Sequence, residues 1–178
     1  MTARNATVTT CNDRPPSPIA RSHEVAIAPP PAGSRAAPGP TVDGCPRRSY
    51  LELDARASAA PQARRHVRRT LTRWELGQVA DDAELITCEL VGNAIAASAA
   101  LPAPTGVGLV IAAWPDRLMV MVRDASADRP VPTPSPGLDD YAVAGRGLAI
   151  VAALSTKWGW TPEARGKVVW ASIDLERP

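Results

Sequence analysis

The sequence predicts an α+β fold: a two-layer α/β sandwich in which a mixed, mostly antiparallel sheet carries its helices on one face. Three observations predict it. Two stretches repeat apolar residues at helical spacing, two apolar runs meet at a short turn in a hairpin, and the elements run strand, helix, helix, hairpin, loop, helix, strand.

The first element is expected near Ser49, where Tyr50, Leu51, Glu52, Leu53 and Asp54 alternate apolar and polar as a half-buried strand does. A helix over residues 60–75 follows. Ala63, Val67, Leu71 and Trp74 form its apolar stripe, and Arg64, Arg65, Arg68, Arg69 and Arg73 take the remaining surface. Such a basic face suits water, an acidic protein or nucleic acid. With no aromatic interleaving and no second basic element, nucleic acid is the least supported of the three.

Asp81, Asp82, Ala83 and Glu84 read as a capping box that starts a second helix, running to about Ala100. Leu85, Ile86, Glu89, Leu90, Asn93 and Ala97 share one side of it, so an acid and an amide are expected within a buried stripe. A buried carboxylate without a partner is costly, which points to a ligand, metal or water beside it.

Residues 106–113 and 118–122 read as two strands joined through Trp114, Pro115, Asp116 and Arg117. Asp124 stands just past the second. Four prolines between Ser126 and Asp140 exclude regular structure and leave a loop of the length used for lids. A helix from Gly145 to about Leu154 and a strand from Lys167 to Leu175 close the pattern.

Composition sets the frame. The chain has 178 residues, 45% apolar and 21% charged, enough for one domain with a real core. Nine of its nineteen prolines fall in residues 1–46 among Ala, Ser, Thr and Gly without period, so that segment is expected to be disordered and the folded domain to span 49–178. The formal net charge of +2 demands neither nucleic acid nor an anionic membrane. Cys11, Cys45 and Cys88 are odd in number and far apart, a spacing that fits neither a zinc site nor a disulfide framework. With no apolar run long enough to span a membrane and no signal-like N-terminus, a cytoplasmic protein is expected. Aromatic residues make up 4%, with no Phe, so Trp74, Trp158 and Trp170 are expected to be structural plugs.

Three segments carry the chemistry. Glu89 and Asn93 stand one helical turn apart and can flank one magnesium ion, the amide oxygen as a ligand and the carboxylate as a proton acceptor. Asp124, ending the run Met119-Val-Met-Val122, can accept a hydrogen bond from the adenine amino group, which selects against the carbonyl of guanine. Gly145, Arg146 and Gly147 precede the apolar run Leu148-Ala-Ile-Val151, where a helix N-terminus offers free N–H groups to phosphate and Arg146 adds a charge.

With these residues in place, the chain from Tyr50 to Leu175 is similar to the Bergerat-fold (GHKL) histidine-kinase-like ATPases, and within them to the small anti-sigma-factor serine kinases of actinomycetes. Glu89-Leu-Val-x-Asn93-Ala94 resembles the N box of that family. Val122-Arg-Asp124-x-Ser126 with Pro130 resembles its first adenine-binding box, and Gly145-Arg-Gly-Leu148-x-Ile-Val151 its second glycine box. Trp158-Gly159 and Gly166-Lys-Val-Val-Trp170 resemble the ending of the branch.

The resemblance implies an ATP-binding sandwich with Asn93 on magnesium, Glu89 as catalytic base, Asp124 on adenine, and Gly145 and Gly147 at the phosphates, with Arg146 and Leu148 in the same segment. It implies partners as well: a sigma factor, a STAS-domain antagonist phosphorylated on serine, and a second copy of the chain in a homodimer. Ala96 and Ala97 replace the Arg-His pair common after the N box, which keeps open a module that binds ATP or a partner without phosphotransfer.

Overall fold

The structure is a computed structural model and describes residues 8–10, 47–103, 105–130 and 147–175. Strands β1 (Val8–Thr10), β2 (Arg47–Leu53), β3 (Val107–Ala113), β4 (Arg117–Asp124), β5 (Lys157–Glu163) and β6 (Gly166–Asp174) form one sheet in the order β1-β2-β3-β4-β6-β5. Every pairing among them is antiparallel. Helices α1 (Ala59–Arg73), α2 (Ala80–Ala99) and α3 (Gly147–Leu154) form the second layer. The α+β sandwich is therefore the fold, with no parallel pair among the described residues.

Side-chain alternation explains the layering. Leu118, Val120 and Val122 of β4, Leu109 and Ile111 of β3, and Val169, Ala171 and Ile173 of β6 face the helices and join Val67, Leu71, Ile86, Leu90 and Val151 in the main core. Helix α2 packs between α1 and α3 and lies over β4. The alternate residues Ala112, Met119, Met121 and Trp170 form a second apolar cluster on the other side of the sheet. There Trp170 lies so close to Gly159 that a Cβ at that glycine would meet its ring at 2.8 Å.

Several expectations need correction. Within the segment 1–46, expected to lack regular structure, the described residues Val8–Thr10 pair with β2 at the sheet edge. The remainder of that segment, including Cys11 and Cys45, lies outside the described residues. Strand β5 has no counterpart in the sequence reading, because Pro162 argues against a strand; at the sheet edge a missing N–H is tolerated.

Helix α2 begins at Ala80, with Val79 at its N-cap and no side-chain cap, so Asp81 and Asp82 lie in the first turn and form no capping box. Glu84, 2% exposed, instead reaches α1, where Arg64 Nε donates to its Oε2 at 2.8 Å and Arg68 Nε meets Oε1. Two of the arginines on the basic face thus join α1 to α2. Burial pushes the Glu84 carboxyl up, but the hydrogen bonds and charges of Arg68 and Arg64 outweigh it and hold the group below the ordinary carboxylate range. Of the tryptophans, Trp158 and Trp170 are buried plugs and Trp74 is half-buried.

Candidate functional site

Glu89 and Asn93 occupy consecutive turns of α2, as the sequence spacing requires. The expected stripe is only half right. Ile86 and Leu90 are buried, whereas Leu85 is 49% exposed, Glu89 is half-buried and Asn93 is exposed. Burial is set by the combined directions of the sheet and α1, which put Ala83, Glu84, Thr87, Val91 and Ala94 inside. The acid–amide pair therefore sits on the flank of α2, open to a ligand, with no need to be desolvated in the core.

On that flank α3 begins. A Cβ at Gly147 would stand 2.6 Å from Glu89 Oε2 and 3.5 and 3.6 Å from Asn93 Nδ2 and Oδ1. The first residue of α3 thus lies directly against both polar groups of α2. A side chain here would displace Glu89. The free N–H groups of the first turn of α3 open beside the pair, the backbone arrangement that attracts phosphate. Leu148 is buried under this contact, 6% exposed, and anchors α3 to the core. Gly145 and Arg146 lie outside the described residues.

Asp124 closes β4 on the face of the sheet that carries the helices, following Leu118, Val120 and Val122 in the alternation. It is 3% exposed. Its Oδ1 accepts from the Ser126 backbone N–H at 2.8 Å, so the chain turns sharply after the strand. The same oxygen accepts from Lys167 Nζ, also at 2.8 Å, and Lys167 further donates to the Ser126 carbonyl at 3.2 Å. Ser126 Oγ in turn donates to Asp128 Oδ2 and accepts from the Asp128 N–H, both at 3.1 Å. This closed set of bonds fixes the segment that follows β4. Sequence reading placed Lys167 only in a strand; the one available signal was a lysine at an inward position of an apolar alternation.

The donor set fits a nucleotide that carries its own metal. Among the described residues no three His, Cys, Asp or Glu side chains gather around a cation. One amide oxygen, at Asn93, together with phosphate oxygens and water, is a ligand set magnesium accepts. The remaining candidate nucleophile near the pair, Cys88, is free and half-buried. Burial pushes its thiol up, against the pull of Arg64, and the carboxylates of Glu89 and Glu84 push further. A thiol held protonated is not a nucleophile.

A sandwich that seats an acid–amide pair of one helix against the glycine opening the next, and that ends a strand of its sheet on a buried aspartate, suits a nucleotide-binding domain of the kinase-like ATPase class. A family model described as the histidine kinase-like ATPase domain matches residues 53–173, and the chain belongs to that family. ATP binding and a kinase-like regulatory function follow from membership. A search of the curated proteins finds no match. Among the described residues no helix is long and apolar enough to cross a membrane.

Proposed function

We propose that this chain is an ATP-dependent protein serine kinase of the anti-sigma-factor type, acting on a STAS-domain antagonist in a partner-switching system in the cytoplasm. The single observation that carries the reading is the contact of Gly147 with both Glu89 and Asn93, which brings the acid, the amide and a phosphate-attracting helix start to one place. Asn93 would hold magnesium, whose charge would offset that of the triphosphate. Glu89 takes the proton of the attacking serine hydroxyl while the serine oxygen receives the γ-phosphoryl group and ADP leaves. Asp124 accepts from the adenine amino group. Gly145 and Arg146 serve the phosphates, the role the sequence resemblance implies for them. The sigma factor or the antagonist is the protein partner, and the working unit is a homodimer.

Calorimetry and phosphotransfer with Glu89→Ala and Asn93→Ala proteins test the assignment. Glu89→Ala keeps ATP affinity within about threefold and loses transfer by about 10²–10⁴, the range of one general base. Asn93→Ala loses magnesium-dependent binding. Full transfer by Glu89→Ala removes the base assignment. Mg-ATP binding by the wild-type chain without transfer to any antagonist leaves the module that sequesters its partner, the reading that Ala96 and Ala97 favour.

A further inference from the structure

Lys167 is the one lysine among the buried polar residues of the described chain, at 4% exposure, and the chemistry above makes no use of it. It stands directly across the β4–β6 ladder from Asp124, and the two side chains share the face that carries the helices. Their side chains are 6% and 2% exposed and 2.8 Å apart. Two well-packed apolar residues would serve stability as well or better, since withdrawing two charges from water costs about what their attraction returns. The pair therefore calls for a role that apolar residues cannot fill.

Its geometry supplies one. Both hydrogen bonds that Asp124 accepts among the described residues fall on Oδ1, from Lys167 Nζ and from the Ser126 N–H. Any ligand group that bonds this carboxylate must approach Oδ2. A carboxylate oxygen accepts hydrogen bonds and does not donate them. An acceptor-only oxygen suits the 6-amino group of adenine and opposes the 6-oxo group of guanine or hypoxanthine.

We infer that Lys167 is the positioning residue for base recognition: it anchors Asp124 through Oδ1 and so presents Oδ2 as an acceptor that selects a 6-amino purine over a 6-oxo purine. The inference rests on the ATP-binding reading of the site and goes beyond it by naming the residue that sets the choice of base. Asp124 touches the base and Lys167 acts through Asp124. Without the ammonium, Asp124 loses one of the two bonds that hold Oδ1, the carboxylate is free to rotate away from the base, and the preference narrows.

The test compares affinities for ATP and inosine triphosphate, by calorimetry on the full chain, among the wild type, Lys167→Met and Lys167→Arg. Wild type prefers ATP. Lys167→Met lowers the ATP-to-ITP affinity ratio by about tenfold or more, in the range a mismatched buried hydrogen bond commands. Lys167→Arg restores a cation and keeps the ratio within about threefold. A purely structural pair would lower both affinities together, and an unchanged ratio in Lys167→Met overturns the inference while leaving ATP binding intact. A wild-type chain that binds neither nucleotide removes both readings. If Lys167→Met does not fold, nitrogen NMR of the lysine ammonium groups in the wild type decides. Saturation with ATP shifts the Lys167 signal and inorganic triphosphate leaves it in place; identical responses to the two ligands overturn the inference.

Discussion

Gly166 makes the sharpest stability prediction. It opens β6 after the two-residue turn of the β5–β6 hairpin with φ at +112, a backbone that residues with a Cβ rarely adopt. A Cβ there would run into the Asp124 carbonyl oxygen and stand 2.6 Å from Ala125 Cα and 2.8 Å from the Asp124 carbonyl carbon. These are backbone atoms of the neighbouring strand's end and cannot swing aside as a side chain does. Gly166→Ala therefore incurs about 1–3 kcal/mol for the backbone conformation and about 1–3 kcal/mol for overpacking, or roughly 2–6 kcal/mol together. At about 3–5 °C per kcal/mol for a domain of this size, the melting temperature falls by about 6 °C at the least. Thermal unfolding followed by near-ultraviolet circular dichroism, which reports on buried Trp158 and Trp170, measures it. The control is Arg165→Ala in the same turn, an exposed position whose substitution stays within about 0.5 kcal/mol. A Gly166→Ala protein melting within about 2 °C of wild type would refute the close approach of β6 to the end of β4.

The same substitution has the opposite sign at Gly92, which lies in the interior of α2 with nothing within 4 Å of its Cβ position. Gly92→Ala gains about 0.5–1 kcal/mol from reduced freedom of the unfolded chain, read as a higher urea midpoint with unchanged slope; a lower midpoint contradicts the open surroundings. Stability also depends on pH in two windows. Burial, with the Arg73 charge, holds the His66 imidazole below its ordinary value, and its Nε2 lies 2.9 Å from Ser49 Oγ. The unfolded chain then binds the proton more readily, so stability is full above about pH 6.5 and is lost as the pH falls from there through the depressed folded value. Glu84, also held low, contributes stability that is full above about pH 4.3 and is lost below it. Urea midpoints against pH check both: His66→Asn flattens the upper slope alone and Glu84→Gln the lower alone, and a single slope surviving both substitutions contradicts the assignment.

The elements were legible where their signal is local. The alternation of β2, the apolar stripe of α1 and the hairpin of β3 and β4 follow from the spacing of apolar residues, which depends only on the backbone repeat. Strand β5 was hidden by Pro162, whose tolerance depends on an edge position that no local pattern announces. The site divides the same way. Glu89 and Asn93 are neighbours because a helix turns once in 3.6 residues. The half-burial of Glu89 and the exposure of Asn93, in place of the expected burial, follow from how α2 rolls against the sheet and α1.

Sequence by itself determined the layered α+β architecture, the pairing of Glu89 with Asn93 and the placement of Asp124 at a strand end, since each follows from a repeat of two or of 3.6 residues. Tertiary structure decided which polar groups meet. It set Glu84 on Arg64 and Arg68 where a cap was expected, brought Gly147 against the acid–amide pair, and joined Lys167 to Asp124 across 43 residues of chain. The physical reason is one of range: apolar periodicity is written along the chain, whereas the partner of a charge is chosen by the packing of elements distant in sequence, under the penalty for leaving that charge buried alone.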